Sequence, residues 1–153
     1  MKYYLISSSI GRGDTKLTSF DCALLESGVA NYNLVRVSSI LPSHMTKRDA
    51  IDIPEGTPIN TAYATITTNL SASVISAAVA VGIPTDENCV GIIMEYSDYC
   101  SEIDAIDTVE KMVQEAMRNR GYEIKEIESV CASTAIRDSN TKYATAFACI
   151  AMW

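Results

Sequence analysis

Hydrophobic and polar positions divide this chain into short extended runs and two helical ones. Residues 2–8 read as a strand, and residues 11–14 as a loop. Residues 18–27 carry Phe20, Leu24 and Leu25 at helical spacing, and Gly28 stands where a helix stop belongs. Residues 31–40 alternate in two sets. Asn31, Asn33, Val35, Val37 and Ser39 share one face of a strand, and Tyr32, Leu34, Arg36, Ser38 and Ile40 share the other, before Pro42 ends it. Residues 43–57 are polar, contain Pro54 and Gly56, and read as a long loop. Residues 58–69 are rich in Thr, Ile and Tyr and read as a strand.

Residues 73–83 are alanine-rich, but their period is two. Ile75, Ala77, Val79, Val81 and Ile83 fall on one face, and small Ser76, Ala78, Ala80 and Gly82 on the other, so a strand is predicted. A turn at 84–88 leads into a strand over 89–97, making a hairpin. The clearest helix spans 102–120. Ser101 can cap it, Glu102 and Asp104 suit its first turn, and Ile103, Ile106, Val109, Met112, Val113, Ala116 and Met117 form its apolar stripe. Strands near 122–134 and 142–152 complete the pattern. The expected class is α+β, a layered sheet with helices on its outer faces, in one domain over residues 1–153.

Charge and composition narrow the chemistry. Twelve basic against 19 acidic residues give a net charge of −7, which argues against a nucleic-acid partner. The single histidine, His44, rules out a His-rich zinc site within one chain, and no metal is expected. The cysteines Cys22, Cys89, Cys100, Cys131 and Cys149 are odd in number and form no C-x-x-C pair. They read as reduced, mostly buried thiols of a cytoplasmic protein, more for packing than for reactivity. No apolar run is long enough for a membrane span, and the first residues lack the apolar core of a signal peptide. Gly11-Arg12-Gly13-Asp14 contains a lone G-x-G, too little to claim a phosphate cradle.

Ser38-Ser39, taken alone, is a polar pair at a strand edge. Its surroundings are more specific. Phe20-Asp21-Cys22-Ala23-Leu24-Leu25 and Gly28 precede Asn31-Tyr32-Asn33-Leu34 and Arg36-Val37-Ser38-Ser39-Ile40-Leu41-Pro42. A second block holds Thr61-Ala62-Tyr63 and Gly91-Ile92-Ile93-Met94-Glu95-Tyr96. In these blocks, and over nearly its whole length, the chain resembles the pyruvoyl-dependent arginine decarboxylases.

That resemblance implies a proenzyme that cuts itself between Ser38 and Ser39, giving a β chain 1–38 and an α chain 39–153. The Ser39 hydroxyl would attack the Ser38 carbonyl and form an ester. Elimination and hydrolysis would then leave a pyruvoyl group in place of Ser39. Decarboxylation needs an electron sink that no ordinary side chain offers. A ketone made from the chain itself fills that need through a Schiff base with the substrate amine. The implied reaction is L-arginine to agmatine and CO2, as in polyamine biosynthesis.

The resemblance also assigns roles. Glu95 becomes the general acid that returns a proton to the α-carbon, although its strand position also fits a carboxylate turned to water. Asp21 becomes the partner of the substrate guanidinium, although it also fits a solvated helical residue. Ser38 joins it in substrate binding, and Asn33 assists self-cleavage. Asn33 and Ser39 share a face but lie six residues apart, roughly 20 Å along one extended strand. They would then meet by assembly or by a sharp bend. The resemblance implies assembly, as a homotrimer of αβ units with sites between subunits and an αββα sandwich in each. Assembly would also bury the apolar faces of 73–83 and 89–97.

Three features depart from the pattern. Lys16 brings a cation that could compete for Asp21, residues 43–56 match nothing in it, and His44 reads as an exposed loop residue. Two alternatives stand beside arginine decarboxylation. One is a pyruvoyl decarboxylase for another cationic amino acid, and the other is a non-catalytic trimeric scaffold.

Overall fold

A computed structural model describes all 153 residues. In chain order the elements are β1 (Tyr3–Gly13), α1 (Lys16–Glu26), β2 (Asn33–Arg36), β3 (Ile40–Leu41), β4 (Thr46–Lys47) and β5 (Pro58–Thr68). There follow β6 (Ile75–Pro84), β7 (Gly91–Asp98), α2 (Glu102–Asn119), β8 (Ile124–Thr134) and β9 (Tyr143–Met152). The strands form a five-stranded sheet in the order β2-β5-β9-β1-β4 and a four-stranded sheet in the order β3-β7-β6-β8. Pairing is antiparallel except for β1 with β4 and β2 with β5. The α+β class expected from the sequence is therefore observed.

Three apolar clusters hold these elements. The largest takes side chains from both sheets, among them Ile6, Ala64, Val79, Ile93 and Ile150. A second joins the four-stranded sheet to α2 through Ala78, Ala80, Ile92, Val109 and Val113. A third joins the five-stranded sheet to the α1 region through Leu5, Ala23, Val29 and Phe147. Both faces of β6 are thus covered within one chain, and Ala77 to Val81 are fully buried. The expectation that assembly would bury the apolar face of 73–83 is corrected, because the other sheet and α2 already cover both faces of β6.

Several boundaries move for identifiable reasons. Residues 11–13 are not a loop but the end of β1, paired with β9 from Gly11–Thr145 to Gly13–Tyr143. The glycines serve packing. A Cβ on Gly11 would stand 2.0 Å from the Ser19 carbonyl oxygen and 2.3 Å from the Ala23 nitrogen, so only glycine lets α1 lie this close. The helix starts earlier than predicted, because Thr15 and Thr18 form a capping box. It presents Ser19 and Ala23 to the sheet, leaving Leu25 exposed. It ends as expected. Gly28 has φ 80°, and the amides of Gly28 and Val29 reach the Leu25 and Leu24 carbonyls.

In α2 the Ser101 cap is present, accepting from the Asp104 amide at 3.2 Å. Ala105, Val109, Val113, Ala116 and Met117 form its buried face. Ile103, two residues from Ala105 and so about 200° around the helix, is turned to water. The 75–84 and 91–98 hairpin is as predicted. The 43–57 loop contains β4, which pairs with Tyr3 and Tyr4, and its Ile51 and Ile53 pack on the third cluster.

The largest correction concerns 31–40. It is not one strand. Residues 33–36 run parallel to β5 in the five-stranded sheet, and 40–41 pair with β7 in the other. Neither face of the predicted strand is apolar throughout, so neither could be buried along its whole length. The chain leaves one sheet after Arg36, crosses through Val37, Ser38 and Ser39, and enters the second at Ile40.

Candidate active site

The crossover sets Ser39 beside β7. The Ser39 carbonyl accepts from the Ile93 amide at 2.9 Å, and Ile40 pairs with Ile92. Two residues past Ile93 on β7 comes Glu95, and strand alternation turns it to the same face as Ile93, toward the other sheet. Its side chain is 17% exposed, so the reading of a carboxylate turned freely to water does not hold. The Ser39 hydroxyl donates to Glu95 Oε1 at 3.1 Å. On the other side of the bond of interest, the Ser38 carbonyl accepts from the Ile40 amide at 2.8 Å, closing a tight turn centred on Ser39. An N–H aimed at a carbonyl oxygen polarises it and stabilises negative charge that builds there.

Arg36 completes this local group. Its Nη2 lies 3.8 Å from Glu95 Oε2 and donates to the Tyr63 carbonyl at 3.2 Å. Its guanidinium carbon sits 4.7 Å from the centroid of the Tyr63 ring. Arg36 lies in the Ser38-Ser39 sequence block, where nothing local gives it a task. The available signal was a cation two residues before Ser38, at the end of a strand.

The remaining candidate residues stand apart from this group. Asn33 is exposed at the start of β2, where its side-chain amide donates to the Gly56 carbonyl at 2.7 Å. The premise of one extended strand between Asn33 and Ser39 fails, since the chain changes sheets between them. Asp21 is exposed on α1, and its carboxylate has no hydrogen-bond or ion-pair partner within the chain. Lys16 does not pair with it. Ser38 is exposed. His44 is an exposed loop residue with φ 61°. A surface hollow near His44 and Cys89 is lined by neither Ser39 nor Glu95.

All five cysteines are free. Burial pushes the Cys149 thiol up to about 12 and the Cys131 thiol to about 11, and Cys100 is also raised. These three are poor nucleophiles at neutral pH, in keeping with packing roles. No helix is long and apolar enough to cross a membrane.

Comparisons with known proteins identify the family. A family model described as pyruvoyl-dependent arginine decarboxylase matches residues 3–153. The chain is 39% identical to the pyruvoyl-dependent arginine decarboxylase of Pyrococcus furiosus, over 99% of this chain and 95% of that one. Identity to the Thermococcus kodakarensis protein of the same name is also 39%, with the same coverage. For that of Methanocaldococcus jannaschii it is 39% over 92% of this chain and 83% of the other. With similarity of this extent running through both the Ser38-Ser39 crossover and the Glu95 strand, the chain belongs to the pyruvoyl-dependent arginine decarboxylase family.

Proposed function

We propose that this chain cuts itself between Ser38 and Ser39 and then converts L-arginine to agmatine and CO2. The observation that carries the reading is the Ser39 hydroxyl hydrogen bond to Glu95, placed beside a Ser38 carbonyl already engaged by the Ile40 amide. In the intact chain Ser39 Oγ attacks the Ser38 carbonyl carbon while its proton passes to Glu95. The Ser38–Ser39 C–N bond breaks, the nitrogen takes up a proton, and an ester joins the two residues. Loss of the Ser39 α-proton and cleavage of the Cβ–Oγ bond release Ser38 as a carboxylate. Water then replaces the nitrogen, which leaves as ammonia, and residue 39 becomes a pyruvoyl group.

The residues present suit that group. Position 39 stays anchored by the Ile93 amide and by β3 pairing on β7, with Glu95 within reach. When formed, the pyruvoyl group accepts the electron pair left as CO2 departs. Glu95 supplies the proton that completes the product, a role that suits a carboxyl enclosed between two sheets. Asp21, with no partner in its own chain, is free to hold the substrate guanidinium. Ser38, at the new chain end, lies beside the reacting centre.

The same reading extends to architecture. The three clusters support an αββα sandwich of α1, the five-stranded sheet, the four-stranded sheet and α2. The active unit is a homotrimer of a single 1–153 domain, with Asn33 and Asp21 of one copy serving the site of another. Their exposure and distance in bonding from Ser39 favour that over a site within one chain. The protein works in the cytoplasm, as its free thiols suggest.

The test is intact mass together with carbon dioxide release. Fragments of 38 and 115 residues (153 − 38), the larger carrying a ketone at its start, are expected. The purified protein should release CO2 from arginine and far less from ornithine or histidine. A single uncut chain that is inactive on arginine would overturn the reading.

A further inference from the structure

Arg36 is held at two points that do not involve the site, the Tyr63 carbonyl at 3.2 Å and the Tyr63 ring. From that fixed post it reaches across from the five-stranded sheet to Glu95 on the four-stranded one. It is the one cation within 4.0 Å of that carboxylate in the chain. The guanidinium is 61% exposed, and exposed ion pairs contribute little to stability, so holding the fold together is a weak reason for the arrangement. Its geometric effect is stronger. Arg36 faces Oε2, while Oε1 receives the Ser39 hydroxyl. With one oxygen engaged, rotation about the terminal bond of Glu95 is restrained, and the other oxygen stays aimed at Ser39.

We propose that Arg36 is a positioning residue that orients Glu95 to take the Ser39 proton during self-cleavage. The inference rests on the Ser39–Glu95 reading above and adds a residue that touches neither Ser39 nor the bond that breaks. Arg36 also lies on the fragment ending at Ser38 and Glu95 on the other, so the pair spans the cut.

The test follows self-cleavage by intact mass in freshly synthesised full-length chain. Arg36→Met keeps an unbranched stem and removes the charge. It should slow cleavage by about 10- to 100-fold, the cost of a misaligned proton acceptor. Arg36→Lys should recover part of the rate, since the charge returns without the planar fork. A structural role would not produce the third result: in a Glu95→Gln background, Arg36→Met should change the rate by less than about twofold, because there is no longer a carboxylate to orient. Urea midpoints of all variants should stay near that of the parent, and Arg36→Gln provides a second neutral variant should Arg36→Met fold poorly. Cleavage of both neutral variants at the parental rate would overturn the proposal while leaving the Ser39–Glu95 reading intact. An equal loss in the Glu95→Gln background would also overturn it. If a parallel Ser39→Ala chain were cut at the same bond, the reading of Ser39 and the role of Arg36 would both fall.

Discussion

The hairpin of β6 and β7 and the stretch from Asn33 to Leu41 both look extended in sequence, yet they end as opposites. The hairpin keeps seven consecutive pairs, from Ser76–Asp98 to Gly82–Ile92. Its β6 strand lies between apolar clusters on both faces. The other stretch yields a four-residue edge strand in one sheet and a two-residue strand in the other. The difference is what each face can bury. Val79 and Val81 meet the opposite sheet, and Ala78 and Ala80 meet α2. Asn33, Arg36 and Ser38 have no such reward and stay exposed. A peptide bond inside a β ladder has its carbonyl and amide committed to neighbouring strands. By leaving the ladder after Arg36, the chain keeps the Ser38–Ser39 peptide out of strand pairing and holds Ser39 and Ile40 against β7 through Ile93 and Ile92.

The comparison predicts that changes at the crossover alter chemistry and spare stability, while changes in the hairpin do the reverse. Ser39→Ala should have the largest effect. Without the hydroxyl it should remain a folded, uncut chain of 153 residues, visible as one band and one intact mass. Glu95→Gln should come next. Glutamine can accept the Ser39 hydrogen bond but cannot carry the proton, so turnover of arginine should fall by about 10²–10⁴-fold, and self-cleavage should slow as well. Near-parental turnover would move the proton donor elsewhere.

Assembly offers a sharper form of the same contrast. Asn33→Ala and Ser39→Ala chains, each defective in cleavage alone, should cut partially when co-expressed, because some subunit boundaries pair an intact Asn33 with an intact Ser39. No cutting in verified mixed oligomers would place the site within one chain.

Val79→Ala probes the hairpin. Removing two carbons from a fully buried position should destabilise the fold by about 2 kcal/mol in urea titrations, with self-cleavage at 25 °C unchanged. A smaller effect concerns Cys149 on β9. Its folded-state thiol is raised to about 12 from an ordinary value of 9.0, so it stays protonated while the unfolded chain's thiol ionises. That contribution is whole below about pH 9 and is lost as pH rises toward 12. Stability should therefore fall less between pH 8 and pH 10.5 in Cys149→Ala than in the parent. Equal slopes would show that the thiol does not matter to the alkaline decline.

Much of this molecule was legible in local pattern. Period-two alternation marked β6 correctly despite its alanines, since Ile75, Val79 and Val81 recur on one face. Capping chemistry marked Ser101, Gly28 and the α2 start. The Ser38-Ser39 and Glu95 blocks were enough to suggest the family, because each is a short contiguous run that is read directly from the chain. Only the tertiary structure decided the rest. Gly11 and Gly13 belong to a strand because α1 must approach β1 closely, and no single segment carries that information. The break after Arg36 arises because two different sheets compete for neighbouring residues, and burial is settled between segments rather than within one. Arg36 and Glu95 are 59 positions apart in sequence, and their pairing exists only because two sheet edges face each other. Sequence alone determined which groups are available for proton transfer. Packing determined which of them meet, since a hydrogen bond of 3.1 Å depends on backbone placement that no local periodicity encodes.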